Sequence, residues 1–280
     1  MENRSIRKTT YTKELGRLCD AIMSAEVSDD LLQLSDSDDE IEYEEEEVHV
    51  AGKTFTINSL PEQIPVEILA KLSSANVEIS GRCPWPGSLL LATYLNKNEY
   101  GKSLVTGRSV VELGTGCGIL GFAIADLVSR LLLTDNDRFA LSLVRKNIEQ
   151  NFEKNPPSVA KLAWGDNADL AKYDAVSGTY DVVVAADVCY KEDIVNPLFV
   201  TASILSKKRF VLCHIPRGTT NGGDNDMVTN AMVCKYAEKN GFLMEKKMQV
   251  GEDLLSISPK ECAQGVGCKD AVIYVWIKKE

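Results

Sequence analysis

Val110-Val-Glu-Leu-Gly-Thr-Gly-Cys-Gly-Ile-Leu-Gly121 is the stretch that decides the fold of this chain. A β-branched run ends in a loop with glycine at 114, 116 and 118, and an apolar helical pattern begins at Ile119. Glycines let backbone approach a ligand closely, and the free amides at a helix start face a polar or anionic group. The segment therefore reads as strand, binding loop and helix, in that order.

Working outward, strands and helices alternate. Strands are predicted at 109–113, 131–134, 159–163, 180–185 and 210–213, with helices at 119–127, 139–151, 197–205 and 227–240. Such alternation implies an open parallel sheet with right-handed crossovers. The end differs, because the apolar runs 242–248 and 272–278 have no helix between them. They suit an antiparallel C-terminal hairpin at the sheet edge, joined by the loop 251–270. Upstream, 48–57 alternates about a glycine turn as a short hairpin, and a helix is predicted over 87–96 with Leu90, Leu91, Tyr94 and Leu95 along one side.

The 280 residues, 44% of them apolar, suffice for one α/β domain with an appendage. No run of about eighteen apolar residues occurs, and the first thirty residues lack a leader pattern. The expectation is a protein that neither spans a membrane nor is secreted, placed in the cytoplasm with the nucleus as a second compartment. Eight cysteines form no C-x-x-C pair and only two histidines accompany them, so reduced thiols and no metal site are expected.

The net charge of −10 is concentrated at the start. Residues 1–50 carry 15 acidic and 5 basic side chains, and the rest of the chain carries 26 of each. The run Ser35-Asp-Ser-Asp-Asp-Glu-Ile-Glu-Tyr-Glu-Glu-Glu-Glu47 repels itself and has little to bury, so a disordered acidic tail is expected, with a basic partner protein as its sharpest use. No basic stripe supports nucleic-acid binding. The domain reading is an extension over 1–47 and a domain over 48–280, made of a hairpin and helix (48–100) and a core (109–280). A chain starting near Val48 is expected to keep full stability.

Gly116-Cys-Gly-Ile-Leu-Gly121 also fits the G-x-G-x-x-G spacing of dinucleotide sites, with Asp135 about 20 residues on, where a ribose-binding acid belongs. Spacing alone leaves NAD and S-adenosylmethionine both open. Three further segments bear on the choice. Glu112-Leu-Gly-Thr-Gly-Cys-Gly118 resembles motif I of Rossmann-like methyltransferases, Asp135 stands where their ribose acid does, and Trp164-Gly-Asp166 resembles the segment flanking adenine. Taken singly, Asp135 could equally cap the helix starting near Asp137, and Trp164 could be core.

Cys83-Pro-Trp-Pro-Gly-Ser-Leu-Leu-Leu-Ala-Thr-Tyr-Leu95 resembles the W-P-x-x-x-x-L-A-x-Y-L signature of methyltransferase family 16, which includes many protein-lysine methyltransferases. Val184-Ala-Ala-Asp-Val-Cys-Tyr190 is similar to that family's D-x-x-Y motif, and Pro197-Leu198, Arg217 and Ile273-Tyr-Val-Trp-Ile277 fit its later pattern. The departures are the acidic first fifty residues, Gly87 where alanine is commoner, and the long loop before the last strand.

The resemblance implies an α/β, Rossmann-like class I methyltransferase fold: a mostly parallel seven-stranded sheet with helices on both faces. It implies S-adenosyl-L-methionine as cofactor and a lysine side chain of a protein as substrate, with histidine or arginine as the alternative. Carried over residue by residue, the cofactor would meet Trp85, Glu112, Gly114, Thr115, Gly116, Gly118, Asp135, Asn136, Trp164, Ala185 and Ala186. Asp187 and Tyr190 would serve the substrate nitrogen. Cys189 has no histidine beside it and reads as packing, and His214 reads as a core or turn residue. An NAD-linked oxidoreductase and a non-catalytic module on the same fold are the competing readings.

Overall fold

The structure is a computed structural model that describes residues 7–8, 43–60, 80–172, 179–216, 228–249 and 270–279. The chain enters as a hairpin, β1 (Glu44–Val50) and β2 (Lys53–Ser59), whose turn places Ala51 and Gly52 at positive φ. A single 3-10 turn, Ser80–Arg82, leads to α1 (Pro86–Lys97) and α2 (Glu99–Val105). Then follow β3 (Ser109–Leu113), α3 (Ile119–Ile124), β4 (Arg130–Asp135), α4 (Arg138–Asn151), β5 (Ser158–Lys161) and α5 (Asn167–Ala171). The second half is β6 (Tyr180–Ala186), α6 (Glu192–Leu205), β7 (Ser206–His214), α7 (Asn230–Lys239), β8 (Phe242–Gln249) and β9 (Val272–Lys278).

Strands β3 to β9 form a seven-stranded sheet in the order β5-β4-β3-β6-β7-β9-β8. The pairs from β5 to β7 are parallel, and β9 runs antiparallel to both β7 and β8, which makes the expected C-terminal hairpin at the edge. The central strands are buried on both faces, so they read as continuous apolar runs instead of alternating ones. Val110, Val182, Val184 and Ile273 pack with the hairpin, α1, α3 and α4. Their chain neighbours Val111, Val183, Ala185 and Tyr274 pack with α5, α6 and α7 on the other side. Helix α1 is covered all round, with Leu89, Leu90, Leu91, Ala92, Tyr94 and Leu95 all buried, where the sequence predicted one apolar side.

The acidic run departs from expectation. Glu44–Glu47 are not tail: they pair residue by residue with 56–59 of β2, and Arg7–Lys8 add in parallel along Glu46 and Glu47. Glu46 is buried and accepts a 2.7 Å hydrogen bond from the Ser59 hydroxyl. The hairpin therefore begins at Glu44, not Val48, while residues 35–42 lie outside the described residues, as do Arg217 and most of the 251–270 loop.

The hairpin is fixed to the body by side-chain amides. Asn147 and Asn151, one turn apart on α4, take the backbone amides of Asn58 and Thr56 and donate to the same residues' carbonyls. Asn147 also donates to the carbonyl of Cys117 in the glycine loop at 3.0 Å. Buried Arg82 donates to the Tyr43 hydroxyl at 3.2 Å and lies 4.5 Å over the Phe139 ring. Cutting the chain at Val48 removes the Tyr43 and Glu46 contacts. Loss of about 2–3 kcal/mol is expected from hydrogen bonds to charged groups alone, or about 4–12 °C in Tm for a fold of this size. A chain starting at Tyr43 keeps those contacts and, among the described residues, loses only the Arg7–Lys8 pairing, so it is expected to melt closer to the full-length protein. Calorimetry of both truncations decides it, and equal melting of the two would mean that Tyr43–Glu47 contribute nothing.

Candidate active site

The parallel strands end together at the point where strand order reverses, between β3 and β6, and an open sheet leaves a ligand crevice there. A cavity of about 750 Å³ occupies it. Its walls come from the 3-10 turn, the start of α1, the glycine loop after β3, the end of β4, the segment after β5 and the segment after β6. Trp85, Gly114, Thr115, Gly116, Asp135, Asn136, Trp164, Ala186, Asp187 and Tyr190 all line it. Residues carried on six separate segments of sequence thus meet in one space.

The glycine loop is held to β4: the amides of Gly114 and Thr115 both donate to the carbonyl of Thr134 at 2.9 Å. At Gly116, φ is +53° and a Cβ would stand 2.9 Å from the carbonyl oxygen of Gly81. Only glycine lets this loop and the 3-10 turn close over each other at the lip of the cavity. Asp135 is held by amides on both oxygens, from Gly116 and from Asp137, each at 3.0 Å. Burial pushes its carboxyl up to about 6 in spite of those donors. It does not cap α4; Asp137 does, accepting from the amides of Phe139 and Ala140.

Three residues assigned to the cofactor do not line the cavity. Ala185 is fully buried on the opposite face of β6, and successive strand residues point opposite ways, so only Ala186 can reach the cavity. Gly118 is the N-cap of α3. Glu112 lies beneath the loop, fully buried, where its carboxyl accepts from the Thr115 hydroxyl at 3.0 Å. Sequence reasoning missed the lining residues Ser80, Gly81, Arg138, Phe139, Lys161, Val188, Ile194 and Pro197. The sequence predicts a helix start at Pro197, but Pro197 sits inside α6, which begins at Glu192.

Burial pushes Glu112 up to about 8, against the Thr115 hydroxyl and the Gly121 amide, which pull it down. A carboxyl raised from 4.5 stabilises the fold fully below pH 4.5, and that stabilisation is lost as pH rises through about 8. Glu112 is therefore a brace under the loop that is mostly protonated at neutral pH. Glu112→Gln, which copies the protonated acid, is expected to flatten the fall in Tm between about pH 4.5 and 8 while cofactor affinity stays unchanged. A profile as steep as that of the parent would exclude this role.

At the other wall Asp187 has φ +62°, its amide donates to the carbonyl of Cys213 at 2.9 Å, and its Oδ2 accepts from the amide of Gly87 at 3.1 Å. Three positions on, Tyr190 also lines the cavity, with the Lys191 ammonium 5.7 Å from its ring centre. Cys189 is buried, which pushes its thiol up, and it is no nucleophile. His214 is buried with Nε2 3.0 Å from the carbonyl of Val228, a structural contact. Among the described residues no group of side chains could hold a metal ion.

Comparison with known proteins bears on the fold and the family. A protein assigned as a methyltransferase and solved in complex with SAH matches the fold with a TM-score of 0.53 at 12% identity, over 88% of this chain and 57% of that one. Protein N-lysine methyltransferase METTL21A of Danio rerio is 34% identical over 44% of this chain and 54% of its own length. EEF1A lysine methyltransferase 3 of Xenopus tropicalis is 34% identical over 43% of this chain and 50% of its own. The matched part thus spans about half the length of these curated relatives. A family described as lysine methyltransferase matches residues 67–222, more than half of the chain and the part that carries the glycine loop, Asp135 and Asp187, and so the chain belongs to methyltransferase family 16.

Proposed function

We propose that this protein transfers a methyl group from S-adenosyl-L-methionine to a lysine side chain of a protein substrate. The observation that carries the reading is a single cavity shared by the glycine loop with Asp135 and by the Asp187–Tyr190 segment. Its volume, about 750 Å³, is of the size that encloses a cofactor and leaves room for one entering side chain. The backbone cradle at Gly114–Gly116 suits the methionine end, Asp135 and Asn136 the ribose, and Trp164 the adenine. When bound, the cofactor supplies an electrophilic sulfonium methyl, and the protein has to align an amine with it.

The residues of the chain do the rest. A lysine of pKa about 10.4 must shed its proton first, which costs about 4–5 kcal/mol at pH 7. Apolar walls at Val188, Ile194 and Pro197 lower that cost by disfavouring the ammonium. Asp187 would orient the neutral amine by accepting its N–H and would balance the positive charge that the nitrogen gains as the N–C bond forms and the methyl–sulfur bond breaks, its electron pair staying on sulfur in the departing product. Tyr190 offers its ring face to the same nitrogen, as it does to Lys191. The proposed setting is the cytoplasm or nucleus, where cysteines such as Cys83, Cys117 and Cys213 stay reduced.

The test is incubation of the full chain with methyl-labelled S-adenosylmethionine and cell extract, followed by mass spectrometry of the labelled protein. A methylated lysine is the expected result. Label on histidine or arginine would overturn the lysine assignment, and NAD binding without S-adenosylmethionine binding would overturn the whole reading.

A further inference from the structure

We propose that Gly87 is a positioning residue for Asp187, so that the start of α1 sets where the carboxylate stands against the substrate nitrogen; this rests on the assignment of Asp187 made above. Helix α1 begins without a local cap. Its N-cap residue, Trp85, makes no capping hydrogen bond through its side chain, and Pro86 has no amide to offer. The amide of Gly87 is therefore the first donor of the helix, and its partner is Asp187 Oδ2, 100 positions away in sequence and 3.1 Å away in space.

Asp187 is gripped from the other side as well. Its amide is tied to Cys213 in β7, and its backbone sits at φ +62°, a region that aspartate enters more readily than most residues. The carboxylate is thus fixed between a strand and a helix that is buried all round. A Cβ on Gly87 would stand 2.9 Å from Asp187 Cβ and 3.1 Å from both Cγ and Oδ2. Neither partner has a flexible end to swing aside. A methyl at position 87 has to turn the carboxylate away or push α1 back.

Alanine at this position would also raise helix propensity. A purely structural glycine in a helix should gain from the change. A positioning glycine should lose chemistry instead, because displacing a catalytic group by even an ångström costs up to about a hundredfold in rate.

The experiment compares Gly87→Ala, Asp187→Asn and the double variant of the full chain. The readouts are the rate of label transfer into the extract protein at saturating S-adenosylmethionine, the Kd for S-adenosylmethionine and Tm. For Gly87→Ala the expected result is a fall in kcat of about 10–100-fold, with Kd within about twofold and Tm unchanged or higher. In the Asp187→Asn background the same change should alter kcat less than about twofold, since the group being positioned has already lost its charge. A parent-level kcat for Gly87→Ala, or a fall in Tm or affinity alongside kcat, would overturn the proposal and leave the assignment of Asp187 standing. Parent-level transfer by Asp187→Asn would overturn that assignment and the proposal with it.

Discussion

Asp187→Asn is expected to lower methyl transfer by about a hundredfold or more while the affinity for S-adenosylmethionine stays within about twofold. The amide keeps an oxygen that can accept from Gly87, and the backbone tie to Cys213 does not involve the side chain. The fold and the start of α1 should therefore survive, and Tm should change little. What disappears is the negative charge beside the nitrogen, at the moment when that nitrogen turns positive. Preorganised charges of this kind are worth most in a site that excludes water. Asp187→Ala is a poorer probe, because it also deprives α1 of its cap. Transfer rates at saturating cofactor, together with calorimetric Kd values, separate the two effects. A parent-level rate in Asp187→Asn would remove Asp187 from the chemistry.

The contact between Asp187 and Gly87 shows where sequence reasoning stops. Local pattern located β3 and β9 to the residue, because period and β-branching are properties of neighbours in the chain. It also located the glycine loop and, by spacing, Asp135 at the end of β4, whereas Asp187 came from the resemblance to the D-x-x-Y motif. A cap supplied from 100 positions away leaves no trace in either local sequence. The same holds for the lip of the cavity, where Ser80–Arg82 is recruited by Gly116 and by Tyr43.

Other misses came from weighting one local signal too heavily. Charge density argued for a disordered run up to Glu47, yet strand pairing with β2 and the Ser59 hydroxyl hold Glu44–Glu47 in a ladder. Pro197 marks a helix start by local pattern, whereas the acids Glu192 and Asp193 mark the true first turn. A proline inside a helix costs about 3 kcal/mol, and here its ring lines the cavity close to Gly165. Helix α5 is only five residues long, and its signal was the cap Asp166, which accepts from the amides of Ala168 and Asp169. Strand alternation forbids Ala185 and Ala186 from sharing a face.

Asp135→Ala is expected to weaken S-adenosylmethionine binding by about 10–100-fold, since a hydrogen bond to a charged acceptor is worth about 1.5–3 kcal/mol. The parent should also show a pH dependence that the variant lacks. Burial raises the Asp135 carboxyl from 3.8 to about 6. Ribose hydroxyls that donate to the carboxylate favour its ionised form, so affinity should be level above pH 6 and fall as pH drops through it, approaching tenfold per unit. Stability runs the other way: the raised carboxyl stabilises the fold fully below pH 3.8, and that contribution is lost as pH rises through about 6. Binding thus demands the charge that folding disfavours. The amides of Gly116 and Asp137, one on each oxygen, help keep that charge tolerable in a half-buried place. Calorimetric titration from about pH 5 to 8 should therefore find a Kd that worsens toward acid in the parent and a level profile in Asp135→Ala. A level profile in both would mean that Asp135 meets the cofactor, if at all, as a neutral acid.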